Sequence, residues 1–299
     1  MSERIVSPKQ NNDEDENFER SLRPNSLAEV IGRNREKEAL KIMIEAAKSR
    51  GEAVDHILFH GPPGLGKTSL SFVIANEMGV PIYTTSGPAI ERQGDLAAIL
   101  TNIEENGILF IDEIHRLNKT IEEILYPAME DRVIDIIIGK GPSAKTLRLD
   151  LNKFTVVGAT TRMSLVSAPL RDRFGVDFRL DYYSHDELQK LVMNKAKILG
   201  IEVGSDSAME IAKRARRTPR LAERLLKRVR DYSQVKNNNI VDLKSSIETL
   251  KMLEIDEFGL DYLDRKIIKT MADSFAGGPV GLSTLAASVN EDLSTIEDV

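Results

Sequence analysis

Gly61-Pro62-Pro63-Gly64-Leu65-Gly66-Lys67-Thr68 forms a complete G-x-x-x-x-G-K-T loop directly after the apolar run Ile57-Leu58-Phe59. Placement, more than the string, separates a phosphate-binding loop from coincidence. A strand over Asp55 to Phe59 runs into the loop, and a helix from Lys67 to Met78 leaves it and is closed by Gly79. Gly61, Gly64 and Gly66 let backbone N–H groups turn around a polyphosphate, and the helix presents its positive end to the same charge. Lys67 is placed to reach the β- and γ-phosphates, the Thr68 hydroxyl is the expected magnesium ligand, and Ser69 is a further donor. The competing reading is a Gly/Pro-rich turn before an ordinary helix.

Gly107-Ile108-Leu109-Phe110-Ile111-Asp112-Glu113 narrows that choice. Four consecutive apolar residues describe a strand buried on both faces, as in a parallel sheet. Carboxylates at its carboxyl end project into the crevice where α/β sheets bind ligands. Asp112 is then the candidate to hold magnesium and Glu113 the candidate general base for an attacking water.

The chain of 299 residues carries 41 basic and 47 acidic side chains, a net charge of −6, and no cysteine. Charge alone therefore gives no reason to expect nucleic acid, and any DNA contact must be local. The absence of disulfide chemistry, of an apolar leader and of an ~18-residue apolar run points to a cytoplasmic protein with no membrane contact.

Residues 1–20 read as a disordered acidic tail, Asn11-Asn12-Asp13-Glu14-Asp15-Glu16 being polar and aperiodic. From Leu22 to Phe178 strands and helices alternate, so residues 21–182 are expected to form an α/β domain with a parallel sheet. Within it Val80 to Thr84 and Phe154 to Thr160 read as strands. Asp95 is expected to cap a helix through Ile103, and Asn118 to cap one carrying Ile121, Ile124, Leu125 and Ala128 on one face. Residues 183–254 lose the strand signal and read as a small all-helical domain, with a helix from His185 to Leu199 closed by Gly200. Residues 255–299 begin a third unit, with Leu263, Ile267, Ile268 and Met271 on one face of a helix and Ser283 to Val289 as another. Ser294-Thr295-Ile296-Glu297 resembles a capping box, and the sequence reads as truncated soon after it.

Val133 to Ile138, Gly139-Lys140-Gly141-Pro142 and Thr146-Leu147-Arg148-Leu149 predict a β-hairpin inserted over residues 133–150. Its Ile136, Ile137 and Ile138 are either an exposed apolar patch for a partner or simply packed on the core.

With both nucleotide motifs placed, the chain resembles the AAA+ ATPases and, among them, the RuvB family of bacterial Holliday-junction branch-migration motors. The matching blocks run from Leu22-Arg23-Pro24 to the last residue. They include Gly61 to Thr68, Thr85 to Ile90, Phe110 to Leu117, Gly139 to Ala144, Gly158 to Arg162, Ala168 to Gly175 and Gly277 to Leu282. The resemblance implies an AAA+ domain, a helical lid and a partial winged-helix DNA-binding domain. It implies Thr160 as the sensor of the γ-phosphate, Arg173 as an arginine finger reaching a neighbouring subunit, and Arg220, after Thr218-Pro219, as a second sensor. It implies Leu22, Arg23 and Tyr183 beside adenine, and Glu130 and Asp131 near nucleotide. The family further implies ATP and Mg2+ as cofactors, a homo-hexameric ring on duplex DNA, the four-way junction as substrate, docking of the hairpin on RuvA, and indirect association with RuvC. Without the match, Arg173 would read as a surface arginine paired with Asp172.

Arg217 stands where the family commonly has glycine, and Arg33 replaces a common glutamine in a peripheral position. The basic stretch Lys213-Arg214-Ala215-Arg216-Arg217, continuing through Arg224, Lys227, Arg228 and Arg230, reads as a solvated helical face in preference to a DNA contact. His56, His60, His115 and His185 have no second ligand at zinc-like spacing. Rival functions are another AAA+ role, such as a clamp loader or protein remodeller, and a nucleotide-switched scaffold. The segment Thr85 to Ile90 lacks the aromatic pore loop of unfoldases, and a binding-only switch needs neither Glu113 nor Arg173.

Overall fold

The computed structural model describes residues 23–138, 145–237 and 240–298. It divides into two compact units that meet in sequence between Tyr182 and Tyr183.

The first unit opens with helix α1 (Asn34–Arg50) and then alternates β1 (Ile57–His60), α2 (Lys67–Met78), β2 (Ile82–Ser86), α3 (Gln93–Thr101), β3 (Gly107–Asp112) and α4 (Lys119–Glu130). A hairpin of β4 (Val133–Ile138) and β5 (Lys145–Asp150) precedes β6 (Phe154–Thr160), the short helix α5 (Ala168–Arg171) and β7 (Val176–Arg179). Five strands form one parallel sheet in the order β2-β3-β6-β1-β7. Every residue of β6 is buried, which is what a central strand covered on both faces requires. Each fully buried Val, Leu or Ile there contributes about 1.5–3 kcal/mol of transfer free energy. The apolar runs at Ile57 and Ile108 are therefore strong determinants of the sheet.

Local chemistry sets the element ends. Gly79 closes α2 with φ 72°, and its N–H reaches the carbonyls of Ala75 and Asn76. Asn118 Oδ1 caps α4 by accepting from Ile121 N at 3.0 Å, and Ile121, Leu125 and Ala128 are buried beneath it. Asp95 is not the cap of its helix. It sits at the third helical position, where its carboxylate accepts from Arg92 N at 2.8 Å. Its short carboxylate serves the N-terminus from inside the first turn, a geometry that spacing alone does not separate from a cap.

The hairpin is antiparallel, from Val133 opposite Asp150 to Ile138 opposite Lys145. Ile134 is fully buried, and Ile136 and Leu149 pack on the same core, whereas Leu147 is exposed. Asp135 and Arg148 face each other with a bidentate ion pair at 2.8 Å. The side chains of Ile137 and Ile138, and residues 139–144, lie outside the described residues.

The second unit holds α6 (His185–Ile198), β8 (Glu202–Val203), α7 (Ser205–Arg214), α8 (Pro219–Lys236), β9 (Ile240–Val241) and α9 (Leu243–Met252), followed by α10 (Tyr262–Phe275), α11 (Leu282–Val289) and α12 (Leu293–Asp298). Two expectations need correction here. The helical region contains a parallel pair of two-residue strands, β8 with β9, too short to leave a period in the sequence. Ser294 lies inside α12, whose Ile296 N–H bonds back to the Asp292 carbonyl, so it does not cap that helix. Leu263, Ile267 and Met271 pack around Leu285, Ala286, Val289 and Ile296, while Ile268 faces outward.

The basic stretch is not a continuous helical face. Helix α7 ends at Arg214, α8 begins at Pro219, and Arg216 and Arg217 between them adopt left-handed φ of 46° and 58°. Arg214 Nη1 donates to Ile255 O at 3.0 Å, and Arg216 Nε donates to Gly259 O at 2.9 Å. Arg216 also pairs with Asp261 and with the buried carboxylate of Asp264. These arginines fasten the start of the third segment to α7, and helical spacing cannot anticipate that because the chain has already left the helix.

Candidate active site

The site is assembled at the carboxyl ends of β1, β3 and β6. Strand β1 delivers Gly61, whose N–H donates to Thr160 O at 3.2 Å, so the first residue of the loop is held by the last residue of β6. Gly61 has φ 138°, and a Cβ there would meet Leu180 O at 2.4 Å, which makes glycine obligatory. Gly66, at φ 91°, turns the chain into α2. Thr68 and Ser69 follow in the first turn, beside the free N–H groups of the helix start. Gly64, at φ 76°, lies within the same loop.

Lys67 is buried and its Nζ donates to Gly61 O at 2.8 Å and Pro62 O at 2.9 Å. Burial lowers its pKa to about 8, the charge of Arg33 pushes the same way, and the carboxylate of Asp112 opposes both. A buried ammonium held by neutral carbonyls is an electrostatic deficit that a polyphosphate would fill. Asp112 ends β3 and accepts from Glu113 N at 2.9 Å. Glu113 has left-handed φ of 47°, and its carboxylate pairs with Arg116 Nη1 at 2.8 Å. Thr160 is 1% exposed; its Oγ1 accepts from Arg162 N at 3.0 Å and lies 2.9 Å from His115 Nδ1.

Other candidates fall elsewhere. Leu22 lies outside the described residues. The guanidinium of Arg23 sits 4.7 Å over the ring of Phe72 on α2. Arg173 is engaged with its own chain: Nη1 donates to Pro169 O at 2.6 Å and Nη2 pairs with Glu130 at 3.2 Å. Its ion pair is thus with Glu130 in place of the expected Asp172. Asp131 is exposed at the end of α4. Tyr183 and Arg220 belong to the second unit. Tyr183 is buried, its N–H donates to Arg217 O at 3.1 Å, and its carbonyl accepts from Arg217 Nε at 2.9 Å, while Arg220 is exposed in the first turn of α8.

Two residues escaped sequence reasoning. His115, treated as a lone histidine, touches Thr160, and the signal available was its place three residues past Asp112. Arg33 is not peripheral: Nη2 donates to Leu65 O of the loop at 3.0 Å and to Asp181 O at 3.2 Å. His56 is a half-buried structural histidine that accepts from Val156 N at 2.8 Å. No group of three or more His, Asp or Glu able to hold a metal ion occurs among the described residues. Magnesium in a phosphate loop needs no such group, because one or two protein oxygens act with the phosphates.

A glycine loop around a buried lysine, with an acid pair two strands away at the same carboxyl edge of a parallel sheet, defines a P-loop ATPase of the AAA+ class. Three family models divide the chain: the Holliday junction DNA helicase RuvB P-loop domain at residues 22–180, the RuvB AAA lid domain at 183–256, and the RuvB C-terminal winged helix domain at 257–299. The Holliday junction branch migration complex subunit RuvB of Clostridium kluyveri is 58% identical over 299 residues, 100% of this chain and 85% of its own length. The Thermotoga maritima RuvB Holliday junction branch migration motor is 47% identical with a TM-score of 0.83, covering 93% of this chain and 89% of that one. A lysine-to-arginine mutant of the same protein matches at 48% and 0.83, covering 93% and 88%. The chain belongs to the RuvB family.

Proposed function

We propose that this chain is the ATP-driven subunit of a branch-migration motor that moves four-way DNA junctions together with RuvA. The observation that carries the reading is the buried, under-compensated Lys67 set beside Asp112, Glu113 and Thr160 at the carboxyl edge of one sheet. Lys67 and the N–H groups of Gly64, Gly66 and Thr68 hold the β- and γ-phosphates, with Ser69 alongside. Thr68 and Asp112 are the protein ligands for Mg2+, which would neutralise phosphate charge when bound. Glu113, once released from Arg116, takes the proton of the attacking water, and ADP and phosphate leave. Thr160 reads the γ-phosphate through its hydroxyl.

Arg173 acts on the site of a neighbouring subunit in a homo-hexameric ring, with Glu130 and Asp131 at the same boundary. By family resemblance Leu22, Arg23 and Tyr183 are assigned to recognition of the base, and Arg220 to sensing the γ-phosphate. The working parts are an ATPase domain over 21–182, a lid over 183–254 and a winged helix over 255–299 that meets duplex DNA. The hairpin over 133–150, with Leu147 exposed, is the docking element for RuvA. RuvC joins only through that assembly. No helix among the described residues is long and apolar enough to cross a membrane, and the protein is assigned to the cytoplasm with its DNA.

The test is ATP-dependent dissociation of a synthetic four-way junction by this chain with RuvA, hydrolysis being followed in the same reaction. Junction movement that vanishes in Glu113→Gln, while that variant still binds ATP, supports the motor. Absence of hydrolysis with DNA and RuvA present overturns it.

A further inference from the structure

Arg173 does not hang free from the surface. Its guanidinium carbon lies 4.2 Å from the centroid of the Tyr126 ring, within the range of a cation–π contact. The same guanidinium donates to Pro169 O and pairs with the half-exposed Glu130, while its Nε is buried with no hydrogen-bond acceptor. The ring is itself fixed. Tyr126 O–H donates to Glu122 Oε2 at 3.0 Å and lies 3.2 Å from Ser167 Oγ, which donates to the same carboxylate oxygen at 2.6 Å. Glu122 is 5% exposed, so this is a buried carboxylate satisfied by two hydroxyls. Ser167 also caps α5, accepting from Leu170 N at 3.3 Å, and α5 ends two residues before Arg173.

One half-buried network around the Glu122 carboxylate thus ties α4 to the helix that delivers Arg173, and the Tyr126 ring forms the floor under the guanidinium. We propose that Tyr126 is a positioning residue for Arg173, holding the guanidinium in the posture from which it enters the neighbouring subunit's site. The proposal rests on the trans role assigned to Arg173 above. An arginine side chain carries large rotamer entropy, and a platform that removes it beforehand lowers the cost of reaching across a subunit boundary. Of the contacts that hold Arg173, the Glu130 pair is the exposed and exchangeable one, whereas the Tyr126 floor is anchored on the buried Glu122 carboxylate.

The test uses Tyr126→Leu, which deletes the ring face, and Tyr126→Phe, which keeps it, in the full chain with DNA and RuvA. Tyr126→Leu is expected to lower maximal ATP turnover about five- to thirtyfold with ATP affinity unchanged, and Tyr126→Phe to stay within about threefold of wild type. Because the defect lies in what a subunit offers its neighbour, mixing Tyr126→Leu with Glu113→Gln is expected to recover turnover. In such rings the intact phosphate loop of one variant is served by the intact Arg173 of the other. Arg173→Ala mixed with Glu113→Gln is run in parallel. Rescue of both supports the proposal. Rescue of Arg173→Ala alone, or unimpaired turnover in Tyr126→Leu, overturns the platform and leaves the trans role of Arg173 standing. Rescue of neither overturns the trans role and the platform with it.

Discussion

His115 Nδ1 lies 2.9 Å from Thr160 Oγ1, joining the exit of β3 to the last residue of β6. Thr160 Oγ1 accepts from Arg162 N as well, and its remaining proton and second lone pair let it donate to or accept from His115 Nδ1 according to the imidazole tautomer. Burial pushes the His115 pKa below 6.5, outweighing Glu113, so the ring is neutral at pH 7.

His115→Leu is therefore expected to reduce ATP turnover about five- to tenfold through a freed Thr160 hydroxyl, with ATP affinity little changed. The pH profile has a definite sign. The depressed folded pKa means the unfolded chain takes up the proton first, so stability declines as pH falls below 6.5 and levels off below the folded value. A wild-type profile that His115→Leu reproduces unaltered would refute the link.

Lys67 gives a second prediction. With a pKa of about 8 in the free protein, it is largely deprotonated at pH 9. Phosphates placed against it raise that pKa, so binding of ATP at pH 8–9 should take up a proton. Calorimetry in buffers of different ionisation enthalpy reads the uptake directly. Equal heats across those buffers would place the phosphates away from Lys67.

Gly61→Ala should be costly to the fold. The new Cβ would sit 2.4 Å from Leu180 O, and Leu180 cannot retreat without losing its 2.8 Å bond to His60 O. A loss of about 2–3 kcal/mol is expected in the unfolding transition that nucleotide stabilises. A variant as stable as wild type would show that the β7 exit yields.

Arg217→Gly separates two opposing effects. Glycine relieves a left-handed residue by about 1 kcal/mol, but it forfeits the Nε bond to Tyr183 O, worth about 1 kcal/mol, and about 0.5–1 kcal/mol through the freer unfolded chain. A net loss of about 0.5–1 kcal/mol is expected by urea denaturation. A gain would mean the guanidinium contributes nothing to holding Tyr183.

The sheet was legible because its strands advertise themselves: Ile108 to Ile111 is apolar throughout, Phe154 to Ala159 is so apart from Thr155, and Gly79 and Asn118 mark helix ends by their own chemistry. The phosphate loop and acid pair were legible for the same reason, since the chemistry demands glycine, lysine and carboxylate at fixed offsets. What the sequence hid are contacts made by residues with several possible partners. Arg33 reaches Leu65 across the loop, His115 finds Thr160 forty-five residues away, and Arg216 leaves the helical path to join Asp264. Long polar side chains carry no period, so only the folded backbone reveals where their ends arrive. The β8–β9 pair was invisible because two residues cannot alternate.

The strand order has a bearing on how the chain is born. Strand β1 is flanked only by β6 and β7, with Ile57 beside Val157 and Val176. At about 5–20 residues per second, the ribosome needs roughly 5–20 seconds to bring Val157 out after Ile57. Until then β2 and β3 can pair with each other, but Ile57, Leu58 and Phe59 have no strand to lie against. The nascent chain must carry this apolar segment, and the loop behind it, as an unpaired edge until Val157 emerges. That interval is where protection by a holding chaperone matters most.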